Sequence, residues 1–403
     1  MNILILANKV PYPPNDGGAM ATYNMAIGLA NAGAKVSLLA ISTPKHPGTP
    51  LSFPKHFTDL VDVDTVYVDT KISPFAAAFN LLFSLKPYNA VRFDNTAFHK
   101  LIESKLSAQK FDLVQLEGAY LEAYISTIRK HFGGLISVRA HNVEWELWQR
   151  AAANQVNLLK RWYYSLLSRR IRNLEVRLLH QTDLLIPITH RDESHFLSMG
   201  FEGKTFTSPA GYDLEKVSVD DKTFDFPSVF HIGGLDWLPN QEGLLWFLSN
   251  CWERILARIP HAKFYVAGRN ASKGFVERIQ RFNGVIFCGE VSSASEYMRS
   301  KGVMVVPLLS GGGMRVKIVE GMALGKAIVS TPLGAEGIDA THGEQIAIAS
   351  TPDGFSDKVI ELLQSIDYTI EMGQKASVYA KSAFDNNVLT KKLLEFYRTV
   401  SEK

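Results

Sequence analysis

The stretch Ser310–Glu336, SGGGMRVKIVEGMALGKAIVSTPLGAE, contains the pattern that decides the fold of this chain. The apolar run Val303–Pro307 comes just before it and predicts a buried strand. Three glycines follow, and from about Arg315 onward the apolar residues recur at helical spacing. A second apolar run, Ala327–Ser330, comes next. A strand, a glycine turn, a helix and a further strand together predict one unit of a parallel α/β sheet.

The glycine turn within this stretch predicts an anion-binding site. Gly311, Gly312 and Gly313 let backbone N–H groups approach a ligand closely, and the N-terminus of the following helix attracts negative charge. Arg315 and Lys317 add two positive charges in the same turn. The pattern indicates a diphosphate-binding turn; the alternative is a plain strand-to-helix turn with solvated basic residues.

Glu320 lies one turn further along a helix that is otherwise apolar. A carboxylate near a phosphate site can accept hydrogen bonds from the vicinal hydroxyls of a ribose, as acids do in other nucleotide-binding α/β folds. The alternative is an acid whose charge stabilises the first turns of the helix. In combination with the glycines and the two cations, Glu320 predicts a nucleotide site.

Short apolar runs alternate with amphipathic stretches along the rest of the chain. Asn2–Ala7 is a continuous apolar run, which is typical of a strand covered on both faces, and the alternation restarts at Ser228–Ile232. We therefore predict an α/β protein with two Rossmann-like domains, each a doubly wound parallel sheet, that face a central cleft. The predicted parts are domains at 1–205 and 206–386 and a C-terminal helix at 387–403 that can pack back on the first domain.

The bulk composition excludes several classes of protein. The 403 residues are 46% hydrophobic and 21% charged, as in ordinary globular proteins, and the net charge of +3 gives no reason to expect a nucleic-acid partner. Cys251 and Cys288 fit free thiols in a reducing compartment. The first ten residues predict a strand and not a signal peptide, and no apolar run approaches the roughly 18 residues that span a bilayer. A cytoplasmic protein is expected.

The pattern Gly-Gly-Gly-x-Arg-x-Lys-x-x-Glu, continued by VSTPLGAEG at 329–337, resembles family 4 of the retaining glycosyltransferases, which have the GT-B fold. Further matches extend the resemblance over nearly the whole chain. They are the glycine loop PPNDGGAM (13–20), the acceptor-side motif RAHNVE (139–144), the interdomain segment PAGYD (209–213), and HIGGLDWLPN (231–240), which resembles the start of the donor domain in a bacterial exopolysaccharide branch.

This resemblance implies transfer of a sugar from a nucleotide-diphosphate sugar to a glycan or lipid-linked acceptor, with retention of configuration. The first domain would then bind the acceptor and the second the donor. The protein's own positive charges would make a metal ion unnecessary, and no cofactor other than the sugar nucleotide is expected.

The resemblance also implies roles for individual residues. Glu320 would bind the donor ribose, and Arg315 and Lys317 would stabilise the departing diphosphate. His141, after the predicted strand Leu135–Arg139, would lie near the reacting centre and contact the transferred sugar or the acceptor. The remaining implied donor-binding positions are Gly17, Gly18, Gly234, Gly311, Gly312, Gly313 and Met314.

The sequence departs from the family pattern at two places. Most members carry an acid that contacts the transferred sugar where this chain has Gly312, so the way in which the donor sugar is held stays open. An arginine and a lysine often follow the first donor-domain strand, where this chain has Gly234 and Asn240. The phosphate charge would then be met mainly by Arg315 and Lys317. A sugar-nucleotide epimerase, or a nucleotide-sugar binding protein without turnover, is the alternative on the same fold.

Two further features have competing interpretations. Asp62-Val63-Asp64 resembles the metal-binding motif of the other large glycosyltransferase fold, but its place at the entry to the predicted strand Thr65–Val68 argues against a metal site. Ile72–Tyr88 is strongly apolar, and Lys160–Arg177 is strongly basic. These two segments predict either contact with an anionic membrane surface or a core-packing helix and a solvated basic face.

Overall fold

The computed structural model describes residues 1–214 and 224–402, which form two compact units. The first unit comprises Met1–Gly211 and Asn386–Lys403, and the second comprises Tyr212–Asp385. Each unit contains one fully parallel sheet with helices around it. The predicted doubly wound α/β architecture is therefore confirmed.

The first unit is built on a seven-stranded sheet whose inner strands are almost completely buried. Its strands are β1 (Asn2–Ala7), β2 (Lys35–Ser42), β3 (Val61–Tyr67), β4 (Leu113–Glu117), β5 (Leu135–Ala140), β6 (Leu184–Pro187) and β7 (Lys204–Thr205). The order in the sheet is β3-β2-β1-β4-β5-β6-β7, so the direction of winding reverses between β1 and β4. Open α/β sheets bind ligands at this switch point, beyond the carboxyl ends of the strands.

Nine α-helices come before β7 in this unit. They are α1 (Gly17–Asn31), α2 (Lys55–Thr58), α3 (Pro74–Phe83), α4 (Tyr88–Val91), α5 (Thr96–Ala108), α6 (Ile125–His131), α7 (Glu144–Ala153), α8 (Leu158–Gln181) and α9 (His190–Ser198). Short 3₁₀ helices occur at Pro50–Ser52 and Ala119–Tyr124.

The second unit has a six-stranded sheet in the order β10-β9-β8-β11-β12-β13, which reverses between β8 and β11. Its strands are β8 (Asp225–Ile232), β9 (Lys263–Ala267), β10 (Val285–Gly289), β11 (Lys301–Val306), β12 (Ile328–Ser330) and β13 (Ala347–Ile348). Its helices are α10 (Leu238–Phe247), a π-helical turn (Leu248–Trp252), α11 (Glu253–Arg258), α12 (Lys273–Ile279), α13 (Ala294–Arg299), α14 (Val316–Ala323), α15 (Pro352–Gln364) and α16 (Ile366–Phe384).

The C-terminal helix, α17 (Asn386–Ser401), belongs to the first unit and packs against α1. Leu393, Leu394 and Tyr397 are buried in the apolar core on that side of the sheet. The helices approach closely because Gly28 has no side chain: a Cβ there would lie 2.6 Å from Thr390 Cγ2. The last residues of the described chain therefore complete the core of the unit that the first residues begin.

Candidate functional site

The second unit carries the predicted anion site where β8 and β11 end side by side. β8 ends at Ile232 and is followed by Gly233, and β11 ends at Val306 and leads to the glycine turn. Gly311 and Gly313 have φ angles of +96° and +79°, the left-handed region that glycine adopts without strain. The turn is thus shaped by its glycines and brings α14 to the switch point of the sheet.

Lys317, in the first turn of α14, extends back to the end of β8. Its Nζ donates hydrogen bonds to the Ile232 carbonyl oxygen at 3.2 Å and to Asn240 Oδ1 at 3.0 Å. His231 Nε2 lies 3.4 Å from the same nitrogen. Because His231 Nδ1 donates to the Val305 carbonyl oxygen at 3.0 Å, Nε2 presents its lone pair to Lys317. Three neutral groups therefore fix the lysine at this edge.

No carboxylate lies within ion-pair distance of Lys317 Nζ in the described part of the chain. Burial lowers the pKa of Lys317, and the nearby charge of Arg315 lowers it further, to about 7. Burial and the charge of Lys317 in turn hold the pKa of His231 well below its ordinary value. A cation held without an acid is stabilised by any anion that arrives, so this position favours phosphate.

Arg315, the residue before α14, is fixed within the glycine turn. Its Nη1 donates to the Gly312 carbonyl oxygen at 2.6 Å, and its guanidinium carbon lies 5.1 Å from the centre of the Trp237 ring. A Cβ on Gly311 would meet this pair, 3.0 Å from Trp237 and 3.2 Å from Arg315 Nη2. Gly312, where the pattern that the chain resembles has an acid, thus contributes its carbonyl to the placement of Arg315. Met314, which precedes Arg315 in the sequence, is partly buried.

Glu320 lies on α14 one turn beyond Lys317. The Tyr212 hydroxyl donates a hydrogen bond to its Oε1 at 3.0 Å, and burial raises the pKa of Glu320. Tyr212 is part of the PAGYD segment but was not predicted as a site residue. A tyrosine 108 positions away cannot be matched to an acid by local spacing, so the sequence carried no signal for this contact.

Asn240 and Gly234 are the two positions that the resemblance matched to a lysine and an arginine. Asn240 Nδ2 donates to the Gly234 carbonyl oxygen at 2.8 Å, while its Oδ1 accepts the hydrogen bond from Lys317. Asn240 therefore orients Lys317 and supplies no charge of its own. Arg269, which follows β9, lies close by: its Nε would be 4.0 Å from a Cβ on Gly234.

The first unit carries a second group of polar residues, at the carboxyl ends of β4 and β5. His141 Nε2 lies 2.8 Å from Glu117 Oε2, and Arg139 Nη1 donates to the same oxygen at 3.3 Å. Thr22 Oγ1 also donates to it, at 3.0 Å, and Gln115 Nε2 donates to Glu117 Oε1. The sequence prediction named His141 but missed Glu117, although an acid at the end of a strand beside the switch point is a usable signal.

The charge of Glu117 fixes the proton on His141. Burial alone would raise the pKa of Glu117, but Arg139 and His141 lower it to about 2. The carboxylate is therefore ionised at neutral pH and His141 donates to it through Nε2–H. In the neutral imidazole Nδ1 is then the acceptor, and no hydrogen bond to Nδ1 occurs within residues 1–214 and 224–402.

His141 and Glu117 both line a cavity of about 560 Å³ in the first unit. Gly18 lines the same cavity near the start of α1, where a Cβ would lie only 2.9 Å from Lys9 Nζ. Gly17 is the first residue of α1 and does not line the cavity. Asp16 caps α1 by accepting from the Ala19 N–H at 2.8 Å and pairs with Lys9 at 2.6 Å.

Asp62 and Asp64 lie within β3 and not before a strand. Both carboxylates pair with Lys105 Nζ, at 2.6 and 2.7 Å. Among the described residues there is no group of three or more His, Cys, Asp or Glu side chains that could hold a metal ion. The two aspartates therefore have a structural partner in this unit.

The apolar segment Ile72–Tyr88, which was predicted either to contact a membrane or to pack in a core, contains the helix α3, whose large apolar side chains are exposed. Phe75, Phe79, Leu82 and Phe83 on α3 are 91%, 66%, 74% and 73% exposed, so they do not form a core-packing helix face. Within residues 1–214 and 224–402, no helix combines the length and the apolar character that crossing a bilayer would require.

Comparison with known proteins agrees with this architecture. Residues 226–365, within the second unit, match the family model described as Glycosyl transferases group 1. The chain is 23% identical over 396 residues to an uncharacterized 44.6 kDa protein in the cps region of Klebsiella pneumoniae, and the match covers 95% of this chain and 96% of that protein.

Solved structures extend the agreement to the whole fold. The sucrose-phosphate synthase of Thermosynechococcus elongatus superposes with a TM-score of 0.73 at 15% identity, over 99% of each chain. HepE of Anabaena in complex with UDP-glucose superposes with a TM-score of 0.64 at 16% identity, over 99% of this chain and all of that chain. This protein therefore has the GT-B fold, and residues 226–365 of its second unit are similar to the family described as Glycosyl transferases group 1.

Proposed function

We propose that this protein is a retaining glycosyltransferase that moves a sugar from a nucleoside-diphosphate sugar to a glycan or lipid-linked acceptor. The observation that carries the proposal is Lys317, a largely buried cation that neutral groups hold at the switch point of the second sheet, with no acid in ion-pair contact among the described residues. Retention and use in polysaccharide synthesis rest on the family 4 resemblance and on the cps-region relative.

The donor's diphosphate binds at the turn formed by Gly311, Gly312, Gly313 and Met314. Lys317 and the N-terminus of α14 face the leaving oxygens, and Arg315 supports the turn from within. As the bond from the anomeric carbon to the diphosphate breaks, negative charge grows on the leaving group. Fixed cations and backbone dipoles stabilise such charge without reorganising, so no metal ion is needed for this step.

The donor's ribose binds Glu320, whose second carboxylate oxygen is not engaged by Tyr212. The first donor to test is a uridine-diphosphate sugar, because HepE was crystallised with UDP-glucose. The acceptor binds in the cavity of the first unit, where His141 Nδ1 accepts a hydrogen bond from a substrate hydroxyl.

Replacing Glu320 with alanine tests the donor assignment. We expect UDP affinity to fall by about tenfold to a hundredfold, because hydrogen bonds to a charged group contribute about 1.5–3 kcal/mol. Isothermal titration calorimetry with UDP measures this directly. Glu344→Ala removes an exposed acid from the same unit and serves as the matched control. Equal UDP affinities for Glu320→Ala and wild type would remove Glu320 from the site.

A nucleotide-sugar binding protein without turnover is the second candidate, because Gly312 replaces the acid that grips the donor sugar in most of the family. The two candidates differ in one measurable product. An enzyme releases UDP from UDP-sugar when an acceptor is added, whereas a binding protein does not. NMR of the anomeric proton in the product then reports retention or inversion.

We also infer that the protein is a cytoplasmic enzyme that lies peripherally on an anionic membrane. The exposed face of α3 adjoins α8, since Arg170 on α8 donates to the carbonyl oxygens of Asn80 and Leu81. Leu158, Leu159 and Trp162 on α8 are 77%, 79% and 59% exposed. The exposed cations beside them are Lys160, Arg161, Arg169 and Arg172. Apolar side chains flanked by cations are the pattern of interfacial helices.

Vesicle flotation tests this surface. We expect the protein to float with vesicles that contain phosphatidylglycerol and less with phosphatidylcholine alone. Phe75→Ser with Phe79→Ser should weaken flotation by at least about tenfold, because burying each ring contributes about 1.5–3 kcal/mol. Leu51→Ser is the control, since Leu51 is 95% exposed outside this surface. Flotation that is unchanged by the double replacement would exclude α3 as the contact.

A further inference from the structure

A chain of buried hydrogen bonds leads from the C-terminal helix to His141 within the first unit. The Tyr397 hydroxyl on α17 donates to Gln115 Oε1 at 2.7 Å, and Gln115 Nε2 donates to Glu117 Oε1. The other carboxylate oxygen of Glu117, Oε2, lies 2.8 Å from His141 Nε2. His141 lines the cavity of this unit, whereas Tyr397 does not. The helix α17 is thus connected to the candidate acceptor site through Gln115 and Glu117.

These polar side chains stand in an otherwise apolar layer of the first unit. Gln115 and Glu117 are alternate residues of β4, so they share the face of Leu113, which packs in one core with residues of α1 and α17. Ser137 on β5 is paired with Gln115, and its Oγ lies 3.2 Å from the Tyr397 hydroxyl oxygen. Gln115, Ser137 and Tyr397 are all 0% exposed. Burying polar groups costs free energy unless each is hydrogen-bonded, so these groups are held in one arrangement.

Tyr397 decides which end of the Gln115 amide faces Glu117. A glutamine amide has an acceptor end, the oxygen, and a donor end, the NH₂ group. Because the Tyr397 hydroxyl donates to the oxygen, the NH₂ group is directed at the Glu117 carboxylate, which is ionised at neutral pH and can only accept. Without the Tyr397 hydroxyl, the amide loses the donor that distinguishes its two ends.

Gln115 in turn fixes the rotation of the Glu117 carboxylate. In the described part of the chain, Gln115 Nε2 is the only donor to Glu117 Oε1. The other oxygen, Oε2, is shared by Thr22, Arg139 and His141. The terminal torsion of a glutamate side chain is broad, so a carboxylate with donors on one oxygen alone rotates easily. A donor on each oxygen fixes its plane and keeps Oε2 on the N–H of His141.

We propose that Tyr397 is a positioning residue for His141. Its hydroxyl orients Gln115, Gln115 fixes the Glu117 carboxylate, and the carboxylate holds the His141 ring in the tautomer with its proton on Nε2. Apolar side chains would fill the same core without the cost of burying a hydroxyl and an amide, so stability alone does not account for these two groups. The role rests on the proposed function, in which His141 Nδ1 accepts a hydrogen bond from the acceptor.

Tyr397→Phe tests this role, because it removes the hydroxyl and keeps the ring. In the full-length protein with ¹⁵N-labelled histidine, we expect wild type to show His141 with its proton on Nε2. Tyr397→Phe should show a mixture of tautomers, with the Nδ1 and Nε2 resonances of His141 shifted towards each other. Gln115→Met, which tests the same link without altering α17, should give a similar spectrum. The His141→Gln variant identifies the resonances to be followed.

Tyr124→Phe is the matched control. Tyr124 is also 0% exposed in the first unit, and its hydroxyl donates to the Phe93 carbonyl oxygen, outside this chain of hydrogen bonds. It should lower the urea midpoint about as much as Tyr397→Phe does and leave the His141 resonances in place. Combining Tyr397→Phe with Gln115→Met should shift these resonances no further than Gln115→Met alone, because both replacements act through the same amide.

The positioning role of Tyr397 is excluded if Tyr397→Phe keeps the wild-type His141 spectrum, if Tyr124→Phe changes that spectrum equally, or if the effects of Tyr397→Phe and Gln115→Met add. UDP binding separates this role from the donor assignment. Tyr397→Phe should bind UDP with wild-type affinity, because all the hydrogen bonds that it affects lie within the first unit. Wild type that does not bind UDP, while its His141 spectrum responds to Tyr397, would overturn the proposed function and keep the positioning role.

Discussion

Replacing Lys317 with methionine is expected to lower sugar transfer from UDP-sugar by at least about a hundredfold, the usual effect of removing one group that stabilises transition-state charge. Methionine fills the space of the lysine stem but cannot meet the charge that develops on the leaving diphosphate. The remaining cation of the turn, Arg315, is bound to the Gly312 carbonyl oxygen and cannot substitute fully. Initial rates of UDP release measure the effect.

The pH dependence of UDP binding tests whether Lys317 is the group that binds the diphosphate. Its pKa is about 7 without ligand, and a bound diphosphate raises it, so binding takes up a proton above pH 7. UDP affinity should therefore fall as pH rises from 7 to 9, where the terminal phosphate, with a pKa of about 6, is already ionised. Calorimetry in two buffers of different ionisation enthalpy should show proton uptake for wild type and none for Lys317→Met.

Lys326 provides the matched control for these measurements. It is a buried lysine of the same unit whose Nζ donates to the carbonyl oxygens of Arg299 and Lys301, at 2.9 and 2.8 Å. Burial, together with the charge of Arg299, lowers its pKa to about 8. Lys326→Met should keep UDP affinity and its pH slope. Turnover and proton uptake that persist in Lys317→Met would contradict the assignment of the diphosphate site.

Both lysines also make stability depend on pH. Their folded-state pKa values lie below 10.5, so the unfolded chain binds more protons between about pH 7 and 10.5. The contribution of these two lysines to the free energy of unfolding therefore rises with pH in this window. Lys317→Met should lose part of that rise, which chemical denaturation at pH 7 and pH 9 measures.

The parts of the fold that depend on local pattern could be predicted from the sequence. The run Asn2–Ala7 forms β1 with the predicted bounds, and the glycine turn leads into α14 from Val316, one residue from the predicted start. These features follow from apolar periodicity and from the φ angles that only glycine adopts readily. Asp62 shows the limit of this approach, because β3 begins earlier than predicted and Lys105 pairs with both aspartates.

The parts of the site that depend on distant residues could not be predicted. Tyr212 reaches Glu320, Asn240 reaches Lys317, and Tyr397 on α17 donates to Gln115 Oε1 at 2.7 Å. These partners are 77 to 282 positions apart, so no spacing rule connects them. The exposure of α3 could not be decided from its sequence either, since an apolar helix face fits both burial in a core and contact with a membrane.

Replacing Glu117 with glutamine is expected to destabilise the first unit by about 3–5 kcal/mol, because it leaves Arg139 as an uncompensated buried charge. Arg139 is fully buried, and its Nε and Nη2 have no hydrogen-bond partner in the described part of the chain. Glu122→Gln is the control: it breaks the partly exposed Glu122–Arg177 pair and should cost less than about 1 kcal/mol. Urea denaturation compares the two variants.

The dependence of the free energy of unfolding on pH tests the same buried pair, Glu117 and Arg139. The pKa of Glu117 is about 2 in the folded protein, below its ordinary value of 4.5, so its contribution is complete above pH 4.5 and is lost as pH falls towards 2. The shift corresponds to about 3 kcal/mol. Wild type should therefore lose stability over this range more steeply than Glu117→Gln, whose amide does not titrate.

A double variant separates the effect of Glu117 on the fold from its effect on His141. Glu117→Gln with Arg139→Met removes both partners of the buried pair and should recover most of the lost stability, since apolar replacements of buried ion pairs are often neutral. The tautomer of His141 is still no longer fixed by a carboxylate, so turnover should stay at least about tenfold below wild type. Ring ¹⁵N chemical shifts should show His141 with its proton on Nε2 in wild type and a mixture of tautomers in the double variant. If the double variant recovers full turnover along with its stability, Glu117 acts only on the fold, and His141 does not need a fixed tautomer.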